Sequence, residues 1–292
     1  MRHWLFLFLI ASIWGSSFIL IKRGLFAPDG SELFTPLQVG AMRILFAALF
    51  MVPIVAKKWK VLNNGKLKYL LAVGIFGNGI PAFLFAAAQT EIPSALAGML
   101  NSLVPVFSML IALAVFGVKI RQLQAAGVVV GLISAVGIIW SSGGLRGSEI
   151  NPLYASLVIL ATVCYAISLN VIKQFLQKES SIAITGVALI LVSPAGMFIL
   201  FATDFISRAT GSEAAIMGLG AIAILAIVGT ALALILFNRL VQETNTVFAA
   251  SVTYIIPLVA IAWGLVDGET LSWLQGICAL TMLGGIFLIN RG

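Results

Sequence analysis

The run WGSSFILIK, Trp14 to Lys22, recurs as YAISLNVIK, Tyr165 to Lys173, 151 positions further along the chain. A second pair keeps the same order. Leu103-Val104-Pro105-Val106 matches Ile255-Ile256-Pro257-Leu258, and Phe116-Gly117-Val118-Lys119-Ile120 matches Asp267-Gly268-Glu269-Thr270-Leu271, with a one-residue gap between Pro105 and Gly117. Single matches of this kind are common among apolar stretches. Their shared order and spacing read as a duplication, so the chain is expected to hold two copies of one unit.

What kind of unit follows from composition. The 292 residues are 61% hydrophobic and 9% charged, with a mean hydropathy of +1.13. A soluble domain carries roughly 25% charged residues, so most of this surface faces hydrocarbon. A spanning helix needs about 20 apolar residues at 1.5 Å each. Runs broken by charge or by Pro, Gly and Asn predict ten spans, near 4–23, 35–56, 67–90, 94–116, 122–141, 152–173, 182–202, 214–238, 245–266 and 271–290. Pro93 and Glu91 divide the third from the fourth.

Five spans per copy is an odd number, so the copies, 1–146 and 147–292, are expected to enter the membrane in opposite senses. The predicted fold is therefore an all-α integral membrane protein of ten transmembrane helices, two inverted five-helix repeats around a central cavity. The charges agree. With the N-terminus in the cytoplasm, the inner side receives Arg2, Lys57, Lys58, Lys60, Lys66, Lys68, Lys119, Arg121, Lys173, Lys178, Arg239 and Arg291, while the outer side receives Lys22, Arg23, Arg146 and Arg208. Basic residues favour the cytoplasmic side, which places both termini there. The corner after Gly117 reads VKIR and is internal; the matching corner after Gly268 reads ETLS and is external.

The net charge of +7 follows from this topology rather than from a nucleic-acid partner. Residues 57–68 (KKWKVLNNGKLK) are also suited to anionic lipid headgroups. The first residues look like a signal peptide, but the apolar run continues to Leu25 and reads as an uncleaved first helix. Cys164 and Cys278 fall inside spans without metal-ligand spacing, and His3 is the sole histidine. No span carries HExxH, a Cys/His set or an Asp pair, so neither an intramembrane enzyme nor a metal or other cofactor is expected.

On these residues the chain resembles the drug/metabolite transporter superfamily, specifically its ten-helix EamA-type exporters. In that family each half opens with a W-G-x-x-F-type run ending in Lys, here Trp14 to Lys22. Each half closes with a Pro-containing helix, a G-E-x-L turn and a Gly-rich helix, here Pro257, Gly268, Glu269, Leu271, Gln275, Gly276, Gly284 and Gly285. The first half keeps Pro105, Gln124 and Gly127 but has Val118 where the family has Glu. The resemblance implies export of small metabolites, often amino acids, through a cavity formed by the first four helices of each half, with the fifth and tenth as scaffold. Gly127, Gly131, Ser134 and Gly137 form a small-residue stripe suited to that packing role.

Polar groups in hydrocarbon are costly unless they face protein or water. On that ground the candidate cavity residues are Asn78, Phe85 and Gln89 on the third helix, Asn101 on the fourth, Trp14 and Ser17 on the first, Tyr165 and Ser168 on the sixth, and Tyr254 and Trp263 on the ninth. Thr230 and Asn238 mark the eighth. Trp263 competes as an interface anchor, as Trp4, Trp59, Trp140 and Trp273 do. Pro105 and Pro257 each remove a backbone hydrogen bond and are candidate hinges. Arg43 lies about 12 Å beyond Thr35; it and Lys22 are the candidates for charge recognition, Arg43 alternatively snorkelling or pairing with an acid. Every Asp and Glu lies at a helix end or in a loop, which favours facilitated or exchange transport over tight proton coupling. The expected function is export of amino acids, aromatic ones included, or related small metabolites through the bacterial inner membrane, with membrane lipid and a small-molecule substrate as partners. A channel, a lipid-handling protein and a carrier of another metabolite class stand as alternatives.

Overall fold

A computed structural model describes residues 2–56, 65–143, 151–243 and 252–291. The apolar runs fold as helices: Arg2–Leu25 (α1), Pro36–Val55 (α2), Leu67–Ala88 (α3), Ser94–Phe116 (α4), Gln122–Gly143 (α5), Pro152–Phe175 (α6), Ser181–Ala202 (α7), Glu213–Ile224 continuing through Ala233–Glu243 (α8), Val252–Val266 (α9) and Trp273–Arg291 (α10). Among the described residues nine helices are long and apolar enough to cross a membrane, and α9 is a shorter apolar helix. The start of the ninth predicted span, and Lys57, Lys58, Trp59, Lys60, Arg146 and Glu149, lie outside the described residues. A short helix, Phe205–Gly211, links α7 to α8.

Local chemistry sets the helix ends. Thr35 Oγ1 accepts from Gln38 N, and Gln38 Oε1 accepts from Thr35 N at 3.0 Å, a reciprocal cap with Pro36 in the first turn. The last helix of each copy starts alike. Arg121 N donates to Gln124 Oε1 at 3.0 Å before α5, and Ser272 N donates to Gln275 Oε1 at 2.8 Å before α10. Gly117 (φ 63) and Gly268 (φ 81) take the left-handed conformation at matching corners, where a side chain would be strained.

The two copies also share an irregularity. The third helix of the first copy widens to a π turn at Ile75–Gly79, and its counterpart α8 does so at Leu225–Leu232. The fourth helices differ. α4 is interrupted at Ser102 and Leu103, just ahead of Pro105, because proline cannot donate to the Asn101 carbonyl. Pro257 sits inside a continuous α9.

Helix directions follow from who touches whom. Gly15 of α1 lies against Val259 of α9, and Lys22 against Asp267 beyond it, so α1 and α9 are parallel. Gly98 and Gly264 meet Ala260 and Ala95, so α9 and α4 are antiparallel. Asn170 bonds Ser108, and the Phe175 and Phe116 rings lie 6.3 Å apart, so α4 and α6 are parallel. Hence α1 and α6 run in opposite directions, and exchanging the copies exchanges the α1/α9 contact with the α6/α4 contact. The pairs α2/α7 and α5/α10 map onto themselves. Both are antiparallel glycine contacts: Gly196 on Ala41 and Gly186 on Val55; Gly127 on Gly285 and Gly137 on Cys278. A Cβ on Gly127 would lie 2.5 Å from the Gly285 carbonyl oxygen, and Ser134 and Thr281 share a hydrogen bond at 2.9 Å. Gly127, Ser134 and Gly137 of the small-residue stripe thus lie on the α5/α10 seam, while a Cβ on Gly131 would meet Val106 of α4.

Candidate functional site

Three groups of polar and aromatic side chains stand within the bundle. The first gathers on the π turn of α8. A π turn bonds i to i+5, which loosens the local backbone ladder and makes its carbonyls available to other donors. Trp14 Nε1 donates to the Gly229 carbonyl at 3.0 Å, with the Trp14 and Phe237 rings 5.1 Å apart. Ser17 Oγ donates to the Ile13 carbonyl in its own helix and lies close over Gly229, where an added Cβ would come within 3.1 Å of it. Thr230 Oγ1 donates to the Leu225 carbonyl and accepts from Arg43 Nε, both at 3.3 Å. Arg43 has no carboxylate partner among the described residues. A cation at the centre of a spanning helix costs about 2.5–3.5 kcal/mol on insertion scales, and among the described residues one neutral hydroxyl is its only side-chain partner.

The second group is the counterpart in the other copy. Ser168 lies over Gly77 in the π turn of α3, where a Cβ would come within 2.4 Å of its hydroxyl. Tyr165 faces Phe85 at 6.0 Å between ring centroids, and Phe85 faces Phe18 at 5.7 Å. Asn78 Nδ2 reaches the Val73 carbonyl only at 3.5 Å. Phe85 and Gln89 are 2% and 3% exposed, inside the packed interior. Gln89 Nε2 donates to the Phe18 carbonyl at 2.8 Å, and its Oε1 has no protein partner among the described residues.

The third group is ionic and closes one end of the bundle. Lys22 Nζ contacts Asp267 Oδ2 and also Glu269 Oε1 at 3.0 Å, and Arg23 pairs with Asp267. Glu269 reaches across to cap α4: Ser94 N and Oγ donate to Oε1 at 2.9 and 2.6 Å, and Ala95 N donates to Oε2 at 3.0 Å. Gly264 makes room, since a Cβ there would lie 2.5 Å from Glu269 Oε2. Burial pushes the Glu269 carboxyl up, but hydrogen bonds from the Ser94 side chain, the Ala95 and Ser94 backbones and Lys22 outweigh it and hold the group below its ordinary value. The Lys22 ammonium is thus matched by two carboxylates. At the opposite end Val118 replaces the Glu, and Lys173 is exposed with no acidic partner among the described residues.

The remaining predicted residues are dispersed. Asn101 is half-buried at the break in α4. Tyr254 OH accepts from Asn290 Nδ2 at 2.8 Å, tying α9 to the end of α10. Trp263 Nε1 donates to Ser16 Oγ at 2.7 Å and borders a cavity of about 340 Å³ with Leu20, Arg23, Ile224 and Asp267. A second cavity, about 330 Å³, has apolar walls from α2, α3 and α7, including Ile44, Ile75, Phe83 and Val192. Of the predicted lining residues, Trp263 borders the former and none borders the latter. The Asn238 side chain lies outside the described residues. One feature escaped sequence reasoning, the Glu269 cap on Ser94, whose only trace was the Gly-Glu corner. The buried Asn170, on the same stretch of α6 as Tyr165 and Ser168, bonds Ser108 Oγ at 3.2 Å. Among the described residues, no three His, Cys, Asp or Glu side chains come together as a metal site would require.

Comparison with known proteins bears on the whole chain. The model of the EamA-like transporter family matches residues 2–140 and again 152–291. The chain is 25% identical over 293 residues to the "Uncharacterized inner membrane transporter YedA" of Escherichia coli (strain K12), covering 98% of this chain and 90% of the relative. It is 27% identical over 289 residues to the "Probable amino-acid metabolite efflux pump" of Salmonella typhimurium, covering 96% and 92%. A crystal structure of another protein, 16% identical, superposes with a TM-score of 0.62 over 98% of this chain and 96% of its own, which shows a shared fold. With a repeated all-helical unit matched from end to end, the chain belongs to the EamA-like transporter family and is a multi-pass membrane transporter.

Proposed function

We propose that this protein exports amino acids or related small metabolites through the bacterial inner membrane by alternating access, with both termini in the cytoplasm and repeats at 1–146 and 147–292. The observation that carries the reading is the antiparallel relation of α1 and α6. Copies related in that way can exchange conformations, so a site between them opens to one side and then, by the mirrored arrangement, to the other. Two such states lie within a few kcal/mol of each other. Support for amino-acid cargo comes from the relative named as an amino-acid metabolite efflux pump. Support for facilitated or exchange transport comes from the acids, which among the described residues lie at helix ends or in loops.

Counterflow tests this directly. Proteoliposomes preloaded with an unlabelled amino acid should accumulate the same labelled amino acid transiently, with saturation. A linear, unsaturable flux would point to a channel. Flux that collapses only when the proton gradient is removed would overturn the facilitated reading.

A further inference from the structure

Among the described residues Arg43 is a charge without a counter-charge. It lies about 12 Å into α2, half-buried, and its Nε donates to Thr230 Oγ1 of α8 at 3.3 Å. A guanidinium carries five N–H donors in a planar fork, and a single one is engaged among the described residues. Its holder is the residue after Gly229, the carbonyl that takes the Trp14 indole. A cation, an indole and a hydroxyl therefore converge on one loosened turn of α8. In the other copy the position of Arg43 is occupied by Pro194, so the charge occurs once per chain.

We infer that Arg43 is the carboxylate-recognition group of the transport site: the free fork of its guanidinium binds the carboxylate of one substrate molecule, and Thr230 presents the fork toward Trp14. The geometry suits this ligand, because a carboxylate accepts two parallel N–H donors from the fork. It also supplies the missing counter-charge at the moment of binding. Amines and neutral amides of the same side chain lack it. This inference rests on the transporter reading above, and it can fail while that reading stands.

The test uses full-length protein in proteoliposomes loaded with a mixture of labelled L-amino acids, followed by competition with the corresponding L-amino acid amides. The unmodified protein should export at least one amino acid, and the matching amide should compete about tenfold or more weakly, the loss expected when a charged hydrogen-bond partner is removed. Arg43→Gln should slow that export by a similar factor, and Arg43→Lys, which keeps the charge without the fork, should fall between. In detergent without substrate, Arg43→Gln should be at least as heat-stable as the parent, because no acid is orphaned by the change. Equal competition by acid and amide, or export by Arg43→Gln within twofold of the parent, overturns the inference and leaves the transporter reading intact. A variant that loses stability marks Arg43 as structural, and the competition on unmodified protein then decides alone. If the unmodified protein moves none of the amino acids, the amino-acid reading falls, and this inference with it.

Discussion

Glu269→Gln isolates one side chain that ties three segments together. The carboxylate accepts from Ser94 N, Ser94 Oγ and Ala95 N and pairs with Lys22. Glutamine keeps one acceptor oxygen, loses the charge, and turns an N–H₂ group toward donors that need an acceptor. Loss of a helix cap costs about 0.5–2 kcal/mol, and each hydrogen bond stripped of its charge loses up to about 1 kcal/mol. Together these give a loss of about 3 kcal/mol. With an unfolding entropy near 2.1 cal/mol/K per residue, a 292-residue chain has about 0.6 kcal/mol/K, so Tm should fall by ~5 °C. Thermal unfolding in detergent at neutral pH, followed by tryptophan fluorescence, reads this out. The pH dependence gives a second readout. Glu269 is held below its ordinary value in the folded protein, so its contribution is full at neutral pH and is lost as pH falls through that lowered value. The gap between parent and variant should therefore narrow in acid, below about pH 4.3. A Tm within about 1 °C of the parent at neutral pH, or a gap that ignores acid, would refute the assignment of Glu269 as a clamp.

Gly127→Ala should cost about 1–3 kcal/mol, because the new Cβ meets the backbone carbonyl of Gly285 rather than a flexible side chain. Gly220→Ala is the control: nothing lies within 4 Å of it, and replacing a helical glycine should leave Tm unchanged or raise it. Trp14→Phe keeps an aromatic ring beside Phe237 but loses the bond to Gly229, so stability should drop by about 1 kcal/mol in the same unfolding assay.

Much of this architecture can be read from the chain because each cue is local or repeats. The Trp14 to Lys22 run and its echo at Tyr165 to Lys173 expose the duplication, and an odd number of spans per copy then demands inversion. Gly117 and Gly268, and Gln124 and Gln275, behave alike because a left-handed corner and a helix cap are decided within four residues. The site is harder, since its partners are brought together by folding. Glu269 meets Ser94 from 175 residues away, and Trp14 meets Gly229 from 215. Nothing in local periodicity announces a π turn at Ile75–Gly79 or Leu225–Leu232, because the apolar pattern runs through both without a break. Proline shows the limit most plainly. Pro105 interrupts its helix and Pro257 does not, although they occupy matching places, so the outcome depends on surrounding packing.

A transporter built from two inverted copies faces a constraint that its sequence resolves by departing from symmetry. Perfect copies would make the two end states mirror images of equal energy, with equal affinity at both faces. Here the copies differ at the points where charge is concentrated. One end joins α1, α4 and the corner after α9 through Lys22, Asp267, Glu269 and Ser94. The other has Val118 in place of Glu and leaves Lys173 exposed. Separating the first end breaks a half-buried, hydrogen-bonded ion pair, and separating the second breaks no such pair among the described residues. A difference of about 3 kcal/mol between two otherwise equivalent arrangements is a population ratio of roughly 150. Arg43 opposite Pro194 is a second departure, placed at the middle of the bundle instead of at an end. The scaffold thus follows the repeat, while what distinguishes one face of the protein from the other resides in the few positions where the repeat is broken.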